Sequence, residues 1–254
     1  TFSGSLTYNY PIVLPPGRNN LTPDLSLSYN SAVANNDSVF GYGWSISIPY
    51  IERINRKGAD QLYSRNDFSS SLSGELVAKN GTTTYVAKVE SGSFLNYEKK
   101  GDVWIVFDKQ GTKYTFGSTT ASRLDNASTT SEIYKWMIEE IRDSNDNFIR
   151  FEYSKDNNQI YPSSIVYTGS GSVDGIFSVN FNLENKDDEV TSYSSKFEVI
   201  TKKRVSGIEV RIDGTTTKEY EFYYTAGQNG NRSLLQSITV SGGMTTVPAT
   251  EFEY

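Results

Sequence analysis

The sequence contains no cysteine and no histidine. Without cysteine there is no disulfide and no thiolate metal ligand, although the compartment is left open. Without histidine this segment can build neither a Ser-His-Asp triad nor a His-ligated zinc site, and it has no imidazole base. No apolar run reaches the roughly 18 residues that a membrane-spanning helix needs. Charge of one sign is also lacking: 24 Lys and Arg stand against 30 Asp and Glu, for a net charge of −6. Both signs are spread along the chain, so no basic stripe offers itself to nucleic acid. No Walker or dinucleotide glycine fingerprint precedes a helical pattern. No signal-peptide pattern is visible, and a chain that starts at Thr1 rather than Met reads as a piece of a longer one.

What the sequence has instead is aromatic residues, 18 Tyr and 13 Phe, with abundant Thr, Ser and Val. These types suit a pleated, half-buried surface. Apolar content of 36% favours sheets with one wet face over buried parallel sheets. Strict alternation recurs throughout. Leu25, Leu27 and Tyr29 alternate with Ser26 and Ser28, and Ile46 and Ile48 with Ser45 and Ser47. Phe177, Val179, Phe181 and Leu183 alternate with Ser178, Asn180 and Asn182, and Ile208, Val210 and Ile212 with Glu209, Arg211 and Asp213. A period of two places one set on each face of an antiparallel strand. Asn80-Gly81, Asp213-Gly214 and Asn229-Gly230 supply the positive φ of two-residue hairpins, and Gly101-Asp102 and Gln110-Gly111 separate further runs in the manner of a meander. Ile133, Met137 and Ile141 have helical spacing, but Tyr134, Trp136 and Ile138 alternate, and Ile149, Phe151 and Tyr153 resume the alternation after Asn145-Asp146-Asn147. A hairpin explains that stretch better than a helix. The expected fold is therefore all-β: roughly fifteen strands in mostly antiparallel hairpins and meanders, forming an extended curved sheet.

A weak repeat is present. Phe151-Glu152-Tyr153 and Phe222-Tyr223-Tyr224 each precede a polar loop and a second strand, and Phe252-Glu253-Tyr254 starts a third copy. A lone hairpin of this kind cannot bury its apolar face, so neighbours must pair beside it. Two polar stretches, Ser118–Ser131 and Asn185–Ser195, are expected to be surface loops. Five Asn-x-Ser/Thr sequons begin at Asn20, Asn36, Asn80, Asn126 and Asn231, as chance provides in a chain this rich in those residues.

The first 60 residues carry a block of motifs: Tyr8-Asn9-Tyr10-Pro11-Ile12, Leu14-Pro15-Pro16-Gly17-Arg18-Asn19, Leu21-Thr22-Pro23-Asp24, and Phe40-Gly41-Tyr42-Gly43-Trp44-Ser45. In this order they resemble the opening of the SpvB-type N-terminal domain of toxin-complex (Tc) B subunits and RHS-repeat proteins. The resemblance continues more loosely through Gly74-Glu75-Leu76-Val77, Trp104–Gly117 and Trp136–Gly169. The Phe/Tyr hairpins resemble degenerate YD repeats. On this basis residues 1–117 form an SpvB-type β segment and residues 118–254 a hairpin segment, or the two run on as one continuous domain. The resemblance implies a secreted bacterial toxin, a virulence factor. In it this segment is a structural part of a hollow β shell that encloses and helps deliver a toxic C-terminal polypeptide. The implied partners are the remainder of the same polypeptide and other toxin-complex subunits, with neither nucleic acid nor a membrane span.

No catalytic, cofactor or metal residue is assigned. Some SpvB-type proteins carry a separate C-terminal ADP-ribosyltransferase with an Arg, a Ser-Thr-Ser strand and a Glu-x-Glu pair. Arg123, Ser128-Thr129-Thr130 and either Glu219-Tyr220-Glu221 or Glu251-Phe252-Glu253 imitate it, but the spacing is far too long and both Glu pairs sit in plain alternation. Asp143-Ser144-Asn145-Asp146-Asn147 imitates a calcium loop, yet Phe148 stands where the loop needs Gly and Ser154 where it needs Glu. Asp187-Asp188-Glu189 reads as a solvated cluster. The rival function is an adhesion or carbohydrate-binding module stacking sugars on Tyr42 and Trp44; core packing of these rings is the plainer reading.

Overall fold

The computed structural model describes residues 4–32, 37–79, 83–228, 230–243 and 245–254. Among these described residues, twenty-one strands are joined by turns and two short 3-10 turns, Arg18–Asn20 and Ala59–Gln61. The N-terminal region supplies β1 (Thr7–Pro11), β2 (Ser26–Asn30), the small ribbon β3 (Asp37–Ser38) and β4 (Gly41–Tyr42), then β5 (Trp44–Ile46). Strands β1, β2 and β5 form a three-stranded sheet of their own.

A meander of short strands follows: β6 (Tyr50–Arg53), β7 (Phe68–Ser70), β8 (Gly74–Ala78), β9 (Thr84–Ala87), β10 (Asn96–Lys100), β11 (Val103–Phe107) and β12 (Lys113–Phe116). Next come β13 (Arg123–Asn126) and the long β14 (Thr129–Arg142). Each meander strand pairs with its neighbour, β6 lies against β14 at Lys135–Met137, and β12 lies against β14 at Ile138–Arg142. Gly117 N and Ile138 N show that the two contacts use opposite edges of β14: the first donates to Met137 O, the second to Pro49 O. Alternate residues of a strand bond to opposite sides. Eight antiparallel strands (β6–β12 and β14) thus close into a ring, which leaves no open edge.

The ring is filled by the alternate residues of those strands. Ile51, Phe68, Tyr97, Trp104, Val106, Phe116 and Trp136 are all fully buried. Phe68 meets Tyr85, Trp104 and Trp136 edge-on at centroid distances of 5.5, 4.9 and 5.8 Å. One end is capped by Arg53, whose guanidinium lies 5.3, 5.0 and 5.8 Å from the rings of Tyr63, Phe68 and Trp136. It donates only to backbone: Nε to Ile133 O, and Nη1 to Leu62 O and Arg65 O. Carbonyls and ring faces offset the cost of burying that charge.

From β14 the same sheet continues through β15 (Asn147–Asp156), β16 (Gln159–Ser170), β17 (Phe177–Ser192), β18 (Val199–Ile212), β19 (Thr215–Ala226), β20 (Ser233–Gly242) and β21 (Thr245–Glu251). The pairing crosses position 117 without a break, because β14 both closes the ring and begins this run. The Ile133–Ile141 segment is strand, as its alternation requires. At Asp213-Gly214 both φ angles are positive, +49° and +76°. Asn80-Gly81, Asn36 and Asn229 lie outside the described residues.

The three-stranded sheet covers the apolar face of this run. Ile12, Leu25, Leu27, Phe40 and Trp44 share one core with Val179, Val205, Ile208, Tyr220, Phe222, Leu235 and Ile238. Ring pairs Tyr10–Tyr220, Phe40–Phe222 and Trp44–Phe252 cross the gap. Polar stitches cross it too: Val13 N donates to Tyr220 Oη (2.9 Å), Tyr167 Oη to Pro15 O (3.1 Å) and Val205 N to Val39 O (2.7 Å).

Two expectations need correction. Among the described residues the strands number twenty-one rather than about fifteen, since pieces as short as β3, β4 and β5 are too brief to show a period. The polar stretches are not simply loops. Ser118–Ser131 contains β13 and the start of β14, and Asn185–Ser192 is the far half of β17. Ladder bonds are made by backbone, and the buried polar side chains of these strands find partners of their own: Asp125 is ion-paired with Lys155, and Lys186 lies 3.6 Å from Asp188.

Candidate functional site

The residues singled out for chemistry are dispersed. Trp44 is only 1% exposed and packs at 4.9 Å on Phe252, while its Nε1 donates to Tyr254 Oη at 2.8 Å, so no sugar can stack on it. Tyr42 is half-buried, with the Arg232 guanidinium 4.7 Å from its ring. Gly43 between them has φ +77°, and a Cβ there would lie 2.7 Å from the Tyr29 ring. Glycine is required for that approach.

Arg123 on β13 is ion-paired with Asp102 (3.1 Å) and donates to Thr119 O. Glu219 and Glu221 are on β19, opposite Ser241 and Thr239 of β20, and Glu251 and Glu253 are exposed near β21. Three of these carboxylates lie on separate strand positions and Glu253 just beyond the end of β21, rather than converging on Arg123. Asp143 is a turn residue. Its carboxylate accepts from Asn145 N, Asn147 N, Asn147 Nδ2 and Asn19 Nδ2. Partial burial would raise its pKa, but these donors, Asn147 and Asn19 foremost, hold it below the usual range. The last of them ties the Pro15-Pro16 loop to the β14–β15 turn. Asp188 accepts from Ser233 N and Oγ and lies 3.6 Å from the buried Lys186 ammonium. The Asp143 and Asp188 carboxylates are thus both occupied by protein donors. A cavity of about 270 Å³, bordered by Phe40, Ile46, Lys135, Met137, Ile160 and Pro162, separates the three-stranded sheet from β14–β16. Its one ammonium, Lys135, is paired with Glu52 at 2.9 Å.

The arrangement that recurs is a seam device built from the Phe-x-Tyr repeat. In the strand before each copy one residue bulges out of register: Glu139, Ser206 and Gln236. The residue after the bulge pairs with the one before the Phe, giving Glu140↔Arg150, Gly207↔Glu221 and Ser237↔Glu251. The Tyr hydroxyl then donates to the carbonyl just before the bulge. Tyr153 reaches Ile138 O (2.5 Å), Tyr224 reaches Val205 O (2.7 Å) and Tyr254 reaches Leu235 O (2.9 Å). A bulge disrupts the ladder locally, and the phenol supplies a bond where register is lost. Burial raises the pKa of all three hydroxyls, that of Tyr254 to about 12, so they stay protonated and remain donors. The seams β14–β15, β18–β19 and β20–β21 are clamped this way.

A fourth copy escaped the sequence reading. Phe181-Asn182-Leu183 follows a bulge at Ser163, with Ser164↔Asn180 in the equivalent register. Leucine stands in place of the tyrosine. The signal available was spacing: thirty residues separate Phe151 from Phe181, as they separate Phe222 from Phe252.

Comparison with known proteins bears on the whole chain. The family described as Salmonella virulence plasmid 65kDa B protein, SpvB, matches residues 1–99 and 82–169. The mono(ADP-ribosyl)transferases SpvB of Salmonella choleraesuis (strain SC-B67) and Salmonella typhimurium are each 25% identical over 181 residues, 60% of this chain. The chain spans 30% of the length of these relatives. Among solved structures, the Photorhabdus luminescens Tc holotoxin pore superposes with a TM-score of 0.83 at 19% identity, over 99% of this chain and 16% of that one. The TcdB2-TccC3-Cdc42 structure gives 0.81 at 19% identity over the same shares. The N-terminal domain of effector protein SpvB from Salmonella typhimurium strain LT2 gives 0.77 at 18% identity, over 92% of this chain and 98% of that domain. At these identities the likeness is one of fold. The family match covers the greater part of the sequence, and the chain belongs to the SpvB family.

Proposed function

We propose that this chain is a non-catalytic wall segment of a secreted bacterial Tc/RHS-type toxin. It contributes to a hollow β shell that encloses and helps deliver a toxic C-terminal polypeptide. Residues 1–117 and 118–254 act as one continuous piece of that wall, joined through β14. Its partners are the rest of the same polypeptide and further toxin-complex subunits. The observation that carries this reading is the continuous sheet from β6 to β21, one face sealed by the three-stranded sheet, its fold shared over 99% of the chain with Tc structures. The candidate carboxylates are all engaged by protein donors or spread over a wet face, which supports a panel rather than a reactive centre.

Protease protection tests it. In the full-length protein the C-terminal polypeptide should survive digestion, and Trp44→Asp, which breaks the packing of the N-terminal sheet, should expose it. Equal digestion of that polypeptide in the unmodified protein defeats the wall reading. One observation favours sugar recognition as a second reading: a cleft of about 930 Å³ lined by Tyr29, Tyr42, Phe252, Tyr254 and Arg232. Selective glycan-array binding that is lost in Tyr42→Ala would displace the first reading.

A further inference from the structure

We infer that the seam between β16 and β17 is a built-in joint of the sheet, the place where its two halves part first. Three of four equivalent seams carry a tyrosine clamp, and this one carries Leu183, whose side chain has no hydroxyl to offer the carbonyl of Pro162. Its pairing is also short, close to that of β14–β15, where Glu140–Arg142 lie against Phe148–Arg150 but Tyr153 clamps the seam. Only Ser164–Tyr167 lie against Phe177–Asn180, whereas β18 and β19 pair from Gly207 to Ile212, and β19 and β20 from Glu219 to Ala226.

Beyond Asn180 β17 is no longer paired with β16, and it is β18 that meets the start of β16, where Lys202 N and Lys203 N donate to Tyr161 Oη. The strands of the β17–β18 hairpin stay paired to each other but slip register between Asn185 and Val190. The far end folds onto the outside of the ring, where Phe197 and Val199 pack with Leu124 and Ile160 in a small cluster separate from the main core. A few polar contacts hold it there: Tyr63 Oη to Ser195 O, Asn158 Nδ2 to Glu198 O and Gln159 Nε2 to Thr201 Oγ1. The cavity bordered by Ile160 and Pro162 lies beside the same seam. Short pairing, an absent clamp, a register slip and a neighbouring void coincide at one boundary. Opening free energy follows local pairing and packing, so this boundary is drawn from the low-stability end of the sheet.

Hydrogen exchange measured by mass spectrometry tests the inference on the intact protein. Amides directed across β16–β17 should exchange at least roughly ten-fold faster than those across β18–β19, a span that sub-global opening routinely covers. Tyr224→Phe removes one clamp and should speed exchange across β18–β19 by about two- to ten-fold, the size of one net hydrogen bond. Should that variant not fold, Leu183→Tyr carries the test by slowing exchange across β16–β17 by a similar factor. The inference is overturned if β16–β17 exchanges as slowly as β18–β19. It is equally overturned if a folded Tyr224→Phe, or a folded Leu183→Tyr, leaves exchange across its own seam unchanged.

Discussion

Replacing Phe68 by alanine tests whether the eight-stranded ring has a single aromatic centre. Phe68 is completely buried. It touches Tyr85, Trp104 and Trp136 edge-on and lies 5.0 Å beneath the Arg53 guanidinium. Truncating a buried Phe to Ala costs about 3–5 kcal/mol in lost burial and cavity formation. Losing edge-on ring pairs adds about 0.5–1.5 kcal/mol, and an uncovered cation up to about 2 kcal/mol, with incomplete additivity. The expected loss is about 4–6 kcal/mol, a large part of the roughly 5–15 kcal/mol that holds a domain together. Phe68→Leu keeps most of the volume and loses only the ring-specific contacts, so its loss should be near 1–2 kcal/mol. Urea unfolding followed by tryptophan fluorescence reads both, since Trp104 and Trp136 sit in the same cluster. If Phe68→Ala lies within about 1 kcal/mol of the parent at unchanged m-value, the ring is not packed around this residue and its closure is wrong.

Four further perturbations are informative. Gly169→Ala should destabilise by about 1–3 kcal/mol in thermal melts, because its Cβ would lie 2.3 Å from the Phe148 ring. Gly214→Ala, in open space at φ +76°, should cost about 1–2 kcal/mol from backbone strain alone, and a larger loss would mean the hairpin tip is packed. Burial pushes the Tyr167 hydroxyl up to about 12, above the ordinary value near 10. The proton is held more tightly in the folded chain, so the stability linked to it is complete below about pH 10 and falls as pH rises towards 12. Tyr167→Phe should flatten that alkaline limb of a pH–melting series. Glu140 shows the opposite sign: the bond from Arg142 holds its carboxylate below the usual range, so its contribution is present above about pH 4.3 and is lost as acid protonates it. Glu140→Gln should reduce acid sensitivity, as a pH series of urea midpoints would record.

Much of this fold was legible in the residues. Alternation identified β2, β17 and β18, and it outweighed the helical spacing of Ile133, Met137 and Ile141. Asp213-Gly214 marked its hairpin through the positive φ that Asp and Gly tolerate. Core packing was the plainer reading of the Trp44 ring, and that ring is fully buried. What stayed hidden is non-local. Nothing in β6 or β12 announces that both lie against β14, because closure is a property of the pairing graph and not of any window. The far half of β17 hid because Asn185–Glu189 are polar and slip out of register between the paired Asn185 and Val190, so no alternation marks the strand. Bulges are equally silent, so Tyr153, Tyr224 and Tyr254 read as a repeat without a purpose, and Leu183 broke the pattern that would have revealed the fourth copy.

Arg53 has a consequence for acid exposure. Ion pairs such as Arg142–Glu140 or Arg211–Glu209, whose carboxylates are held below the usual range, have a titratable half, and a falling pH disarms them one carboxylate at a time. The guanidinium at the mouth of the ring rests on peptide oxygens and aromatic faces, none of which takes up a proton in that range. Acidification therefore loosens the outer surface of the sheet while the plug of its innermost chamber keeps its grip.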